Sequence, residues 1–406
     1  MEQKLDPQNF EIRYNSTIRK LEESDISERN KRIILRFKDN CIRCGLGKPR
    51  VVKLIETMEL IAIILDKDLD QVKKRDVERY ITIIQERNYT AWTRHDYKVV
   101  IKKFYKWLKG KNEFYPDEVK WIKCAISRNE QRLPAESELL TEDDIKKLIE
   151  NAGHPRDKAF IALLFESGCR IGELLTLRIK NISFDEHGIL MNVNGKTGSR
   201  RIRIIAATNY LATWLDCHPS KKDLESPVWV NIGTTNHHKI MKYQTARNSL
   251  ILLFKKCNIN KRHNPHFFRH SRATYLANHL TEFQMNQYLG WVQGSGMPAT
   301  YIHMSGKETD AALLVLNGVK LTKEEKESSL KPIKCHKCTH INNYDAKFCS
   351  KCAGILDIKT AMQLEDKRLK ESELRNKSDE LMNKLINDPE VYMLIMEKIA
   401  TMGLNK

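Results

Sequence analysis

No apolar run in this chain is long enough to cross a bilayer. The run around Leu60–Leu65 falls far short of the roughly 20 residues that a helical span needs. The first residues, MEQKLDPQNF, hold no apolar core of the kind a secretory signal requires, so a cytoplasmic protein without a membrane partner is expected. No Walker A loop is present, which removes the usual cradle for a nucleoside triphosphate. No internal repeat of architectural size occurs either, so the chain is not a solenoid. Acidic residues are in deficit: 52 Asp and Glu face 70 Lys and Arg, an excess of 18 positive charges. Such an excess favours a polyanionic partner, because basic groups displace counterions from phosphate backbones. Ribosome-associated and membrane-surface proteins are equally basic, so charge alone selects no single partner. With 41% hydrophobic residues the chain can build packed cores, and 406 residues suggest two or three domains.

The apolar periodicity is helical from about residue 14 to 111. Ser27 is a candidate cap for SERNKRIILRFKDNCIRCG, which stops at Gly45. Beyond Thr90, Val100, Phe104, Trp107 and Leu108 share one helical face, while Lys102, Lys103, Lys106 and Lys109 fall largely elsewhere. That lysine face reads equally as a solvated surface or as a grip on a duplex. Residues 112–137, with Pro116 and Pro134, form a connector. A second unit opens at Thr141, a cap followed by acidic residues. Within it, ILMNVNGKTGSRRIRII places Asn194-Gly195 and Gly198 between alternating segments, which predicts a β-hairpin. Helical patterning then resumes and runs past Tyr301 to about Val319. The expected fold is therefore mainly α with a small antiparallel sheet.

Five residues scattered through the second unit carry chemistry: Arg170, Lys196, His266, Arg269 and Tyr301. Arg170 begins a short helix, and Glu173 lies three residues on, where it can orient the guanidinium. By itself such a pair is most simply structural. Asn264 and Pro265 predict a helix start that projects His266 and Arg269 from its first turn, where free backbone N–H groups favour a phosphate. His270 and Arg272 stand beside them, so the segment also reads as a basic helix end. Lys196 sits at the hairpin tip, and Tyr301 follows Trp291 by ten residues across a loop containing Gly294, Gly296 and Pro298. Together these groups could hold a phosphodiester, attack it covalently and protonate the leaving oxygen.

In this order and on these elements, the residues resemble the phage-integrase family of tyrosine recombinases, which shares its chemistry with type IB topoisomerases. The resemblance covers roughly Glu138 to Val319. Arg170 and Glu173 match the first arginine box, Lys196 the hairpin lysine, His266 and Arg269 the second box, Trp291 the His-or-Trp position, and Tyr301 the nucleophile. The step from Trp291 to Tyr301 is one residue longer than is usual in the family, and Trp291 can donate a hydrogen bond but cannot shuttle a proton. What the resemblance implies is site-specific cleavage and rejoining of double-stranded DNA through a 3′-phosphotyrosyl link, with no ATP and no catalytic metal. Arg170 and Arg269 would clamp the phosphate, His266 would position it or exchange a proton with the tyrosine, and Lys196 would be the general acid. It further implies a helical core-binding domain over 14–111, a catalytic domain over 138–319, and a homotetramer on two DNA sites.

Four of the ten cysteines fall in Cys335-x2-Cys338 and Cys349-x2-Cys352, a spacing that predicts a structural, closed Zn2+ site. The flanking segment 332–356 resembles a zinc ribbon. Cys41 and Cys44 lack a second pair and read as residues at a helix end. A helical tail is expected over 359–406, with Val391, Leu394, Ile395 and Ile399 spaced for contact between protomers. The ribbon in combination with this catalytic domain points to an archaeal mobile element, and hence to a prokaryotic, nucleoid-associated protein. Two other functions stay open on the sequence: a catalytically silent DNA-binding scaffold, and topoisomerase-like relaxation without a partner site.

Overall fold

The computed structural model describes residues 5–127, 130, 134–234, 236–305, 313, 314, 316, 317 and 328–401. Two apolar cores organise it. The first gathers helices α1 (Phe10–Glu23), α2 (Glu28–Arg43), α3 (Lys48–Leu65), α4 (Lys74–Glu86) and α5 (Ala91–Leu108). Its centre is α3, whose Val51, Leu54, Ile55, Met58 and Ile61 are buried between α1, α2 and α5. Ser27 caps α2 by accepting from the Asn30 N–H, and buried Asn30 in turn bonds the Lys67 carbonyl and the Leu69 N–H. Cys41 is buried in this core, and Cys44 lies exposed just past the end of α2.

Three of the four α5 lysines singled out in the sequence have partners. Lys102 and Lys106 lie against the Tyr115 ring, and Lys109 bonds the Val72 carbonyl and Glu118. They pull the following segment onto the bundle, so that Val119 and Ile122 join its core, beyond the expected end at residue 111.

The second core is built around α7 (Pro155–Ser167), which is buried along nearly its whole length and packs against α6 (Glu142–Asn151), α9 (Thr208–Asp216) and α11 (Pro265–Ala277). Thr141 and Asp144 form the capping box at the start of α6. A three-stranded antiparallel sheet, β1 (Ile182–Asp185), β2 (Gly188–Gly195) and β3 (Gly198–Ile204), turns Ile189, Met191, Val193, Ile202 and Ile204 into this core. Pairing of Gly195 with Gly198 leaves Lys196 and Thr197 as a two-residue turn. The predicted hairpin is thus present, with its lysine at the tip. Helices α8 (Ile171–Leu175), α10 (Tyr243–Lys256), α12 (Glu282–Leu289) and α13 (Met297–Ser305) complete the unit.

Two connections matter for the site. The turn before α1 reaches across to the second unit, where the Tyr243 N–H donates to the Pro7 carbonyl. The cysteine-rich segment, with strands β4 (Ile333–Lys334) and β5 (Ile341–Asn342), lies against α9: Asn209 donates to the Ile341 carbonyl and the Tyr210 hydroxyl to Asp345. Leu330 and Tyr344 pack onto the second core. After it come the helices α14 (Ile358–Asn387) and α15 (Pro389–Thr401), whose apolar side chains are mostly exposed. The helical continuation expected between Ser305 and Val319 falls mostly, and the charged segment 321–327 wholly, outside the described residues.

Candidate active site

A cleft of about 700 Å3 is lined by Arg170, Lys196, His266, Arg269, Trp291 and Tyr301, so all the sequence-predicted residues except Glu173 line one wall system. Glu173 stands directly behind it. The organising element is the C-terminal end of α12, where three consecutive carbonyls point outward with no helical partner. Tyr288 O accepts from Arg200 Nε at 2.9 Å, Leu289 O from Arg269 Nη2 at 2.7 Å, and Gly290 O from Arg170 Nη2 at 3.2 Å. A helix C-terminus carries partial negative charge, so this is a favourable place to gather guanidinium groups. Gly290 closes the helix at φ 65°, a left-handed conformation, and a Cβ there would meet the Arg200 guanidinium at 2.6 Å.

Glu173 is the carboxylate that ties this cluster together. It accepts from the Arg170 guanidinium at 2.9 Å and the Arg170 N–H at 3.0 Å, and from Arg200 at 2.8 Å. Burial pushes the Glu173 carboxyl up, but Arg200 and Arg170 outweigh it and hold its pKa below the ordinary carboxylate range. The hairpin reaches this pair because Gly195 has no side chain: a Cβ would lie 2.2 Å from the Glu173 carboxylate. Thr197 then fastens the tip by donating to Gly290 O at 3.0 Å, leaving the neighbouring Lys196 exposed at the cleft mouth.

Arg269 is buried, and its guanidinium also donates to Gly168 O at 2.9 Å. Burial and then the nearby Arg170 lower its pKa to about 10, which still leaves it protonated at neutral pH. The Trp291 ring lies over this guanidinium at 5.4 Å and stacks on Tyr301 at 5.3 Å, with the rings 13° apart. Cation and phenol thus share one aromatic spacer. The longer loop between Trp291 and Tyr301 is absorbed locally. Gly294 takes a positive φ, and buried Asn286 holds the loop through Trp291 N–H and Ser295.

Two residues of this cluster were not among those singled out in the sequence. Arg200 reads there as one more basic residue on an alternating strand, and only the fold shows it completing the Glu173 pair. His270 lies beside Tyr301, with the phenol oxygen 2.9 Å from Nδ1. Its position one turn beyond His266 on α11 was the available signal, since residues four apart share a helix face. Burial, then His266, Arg269 and Arg262 lower the His270 pKa to about 4. His266 presents an edge to solvent, yet desolvation within the cleft, followed by Arg269 and Arg170, also lowers its pKa. Burial raises the Tyr301 pKa, partly offset by Arg269.

Residues 138–308 match the phage integrase family. That segment is a phage integrase family domain. A tyrosine recombinase of Thermosipho africanus is 25% identical over 253 residues, spanning 60% of this chain and 84% of that protein. The tyrosine recombinase XerA of Pyrococcus horikoshii is 30% identical over 166 residues, 37% of this chain and 51% of that one. Among solved structures, the XerH site-specific recombinase bound to a palindromic difH substrate superposes with a TM-score of 0.54, at 15% identity, over 78% of this chain and 98% of that chain. A lambda integrase dimer bound to a COC′ core site gives 0.53, at 12% identity, over 66% and 93%. At these identities the superpositions establish the fold alone.

Outside the cleft, Cys335, Cys338, Cys349 and Cys352 hold their sulfurs all within 4.8 Å of one another, a cluster that could hold a metal ion. No helix among the described residues is long and apolar enough to cross a membrane.

Glu173 generates a pH prediction. Its folded pKa lies below the unfolded value of about 4.3, so the stabilisation it contributes is fully present above that pH and is lost as pH falls through the folded value. Glu173→Gln is expected to cost about 3 kcal/mol at pH 7, as for one partner lost from a buried ion cluster. The gap to wild type should close in acid unfolding curves; a gap independent of pH would refute the charged pairing.

Proposed function

We propose that this chain is a site-specific DNA recombinase that cleaves and rejoins strands through a 3′-phosphotyrosyl intermediate on Tyr301. The observation that carries this reading is the convergence of one phenol with Arg170, Arg269 and Lys196 on a single open cleft. The Tyr301 oxygen attacks the scissile phosphorus and forms a covalent bond, while the bond to the 5′ oxygen breaks. Arg170 and Arg269 bind the non-bridging oxygens as negative charge builds, and they are held in place beforehand by the carbonyls of α12 and by Glu173. His266 completes the phosphate site, and Trp291 orients both Arg269 and Tyr301. Lys196, at the hairpin tip, protonates the departing 5′ oxygen. The phosphotyrosyl bond conserves the energy of the broken phosphodiester, so rejoining needs no nucleotide.

The two apolar cores are read as a core-binding domain and a catalytic domain on opposite sides of a duplex. The XerH recombinase bound to its difH substrate and the lambda integrase bound to its core site support double-stranded DNA as the partner. An enzyme of this kind works on the nucleoid, in a prokaryotic cytoplasm, and the mobile-element assignment rests on the ribbon beside the catalytic domain.

For the four cysteines we propose structural Zn2+. In a tetrahedral site with Zn–S bonds of about 2.3 Å, sulfurs stand about 3.8 Å apart. Here Cys335 and Cys352 are 3.6 Å apart and Cys338 and Cys349 are 3.5 Å apart, which fits such an ion. Four thiolates leave no position for a substrate, and the short segment between the pairs needs a staple to hold its shape.

For assembly we propose a homotetramer on two sites, with α15 as one contact between protomers. Its Leu394 and Ile395 are 64% and 37% exposed, which one chain alone does not explain.

Three outcomes are expected. Wild type incubated with fragmented host DNA, denatured and captured covalently, should retain one enriched sequence that Tyr301→Phe does not; equal adducts on both proteins would remove Tyr301 as nucleophile. Purified protein should carry one zinc per chain by elemental analysis, and Cys349→Ser should lose it together with the proteolytic resistance of the ribbon. A chain ending at Thr360 should bind one site but fail to form the tetramer, whereas unchanged tetramers would exclude the tail from the interface.

A further inference from the structure

The reading of Tyr301 as nucleophile leaves open where its proton goes, and the inference below rests on that reading. The family resemblance left His266 with either of two tasks, holding the phosphate or exchanging the proton. In the folded chain these tasks separate. Both histidines lie on the cleft-facing side of α11, one turn apart, with rings 4.7 Å between centroids at 83°. It is His270 that meets the phenol, with Nδ1 2.9 Å from the Tyr301 oxygen and the rings 5.7 Å apart.

We infer that His270 takes the phenolic proton as Tyr301 attacks and returns it when the strand is rejoined, leaving His266 to the phosphate. The charged and titratable groups around His270 are His266 and Arg269 on its own helix, Arg262 before it, and Tyr301 on α13. Burial, then His266, Arg269 and Arg262, keep the His270 imidazole neutral at pH 7, so Nδ1 can accept a hydrogen bond only if Nε2 carries the ring proton. That tautomer aims a lone pair at the phenol.

In the forward step the Tyr301 oxygen–phosphorus bond forms and the phenol proton passes to His270 Nδ1. The phosphorus–O5′ bond breaks, and O5′ takes a proton from the Lys196 ammonium. The enzyme ends with His270 as imidazolium and Lys196 as a neutral amine. Attack by the 5′ hydroxyl reverses both transfers, so nothing is consumed. An imidazolium here is disfavoured by Arg269 and Arg262 until the dianionic transition state occupies the cleft, which couples proton transfer to the presence of the phosphate.

The test uses full-length protein and a duplex carrying the sequence recovered by covalent capture. Single-turnover adduct rates are measured for wild type, His270→Gln, His266→Gln, Lys196→Ala and Tyr301→Phe between about pH 6 and about pH 9. Loss of a proton acceptor should slow His270→Gln by about 100-fold or more at pH 7. Its rate should then climb with pH as the phenol ionises unaided, about tenfold per pH unit, while wild type stays flat. A duplex with sulfur in place of the 5′ bridging oxygen should rescue Lys196→Ala and leave His270→Gln slow, since only the leaving group has been eased. His270→Ala should regain rate with free imidazole in the buffer, a response that a packing defect does not give.

A His270→Gln rate within about threefold of wild type, well short of the loss expected for a missing acid–base group, would overturn the inference. So would the pH slope arising in His266→Gln instead. Adducts on Tyr301→Phe would overturn the nucleophile assignment and this inference together. Adducts on wild type but not on Tyr301→Phe, with His270→Gln unimpaired, would overturn the inference alone.

Discussion

The catalytic unit depends on the unsatisfied carbonyls at the end of α12. Tyr288, Leu289 and Gly290 each offer an oxygen, and each is taken by a different arginine: Arg200, Arg269 and Arg170. Those arginines come from β3, α11 and the start of α8, so one helix end brings together three distant parts of the chain. Three guanidiniums in close proximity repel one another, and the cluster is tolerable because Glu173 and the helix dipole oppose that repulsion. The remaining positive charge is directed into the cleft. On the proposed reading, a phosphate that enters relieves it.

A second constraint fixes Tyr301. Tyr301 is 2% exposed, stacked on Trp291 and bonded to His270, so it is held at the wall of the cleft rather than free in it. Trp291 serves two partners, with Arg269 against its ring and Tyr301 stacked parallel. Both contacts are geometric and call for no exchangeable proton on Trp291. The same economy appears at the hairpin, where Thr197 anchors the turn to Gly290 so that Lys196 faces the cleft from a supported tip.

The cysteine cluster extends the catalytic unit. Tyr210 and Asn209 on α9 bond Asp345 and the Ile341 carbonyl, and Tyr344 joins the second core. The N-terminus of α9 is itself held by Glu166, whose carboxylate accepts from the N–H groups of Ile205, Ala206 and Ala207. Glu166 lies on α7, which packs against α11. The elements that carry the cysteine segment and the cleft-lining histidines, α9 and α11, therefore pack on the same buried helix.

Local chemistry in the sequence determined a good deal. Caps at Ser27, Thr141 and Asn264, the glycines bounding the hairpin, and the apolar periodicity are short-range signals, and each element they imply is present. The cysteine spacing and the set of Arg170, Lys196, His266, Arg269 and Tyr301 were legible because each residue type brings its own chemistry, whatever surrounds it. Only the tertiary structure decided which groups touch. It paired Glu173 with Arg200 as well as Arg170, turned the α5 lysines onto Tyr115 and Glu118, and set His270 rather than His266 on the phenol. These contacts join residues from 3 to 31 positions apart in the chain, and nearly all of them depend on how separate elements pack, which no local pattern encodes.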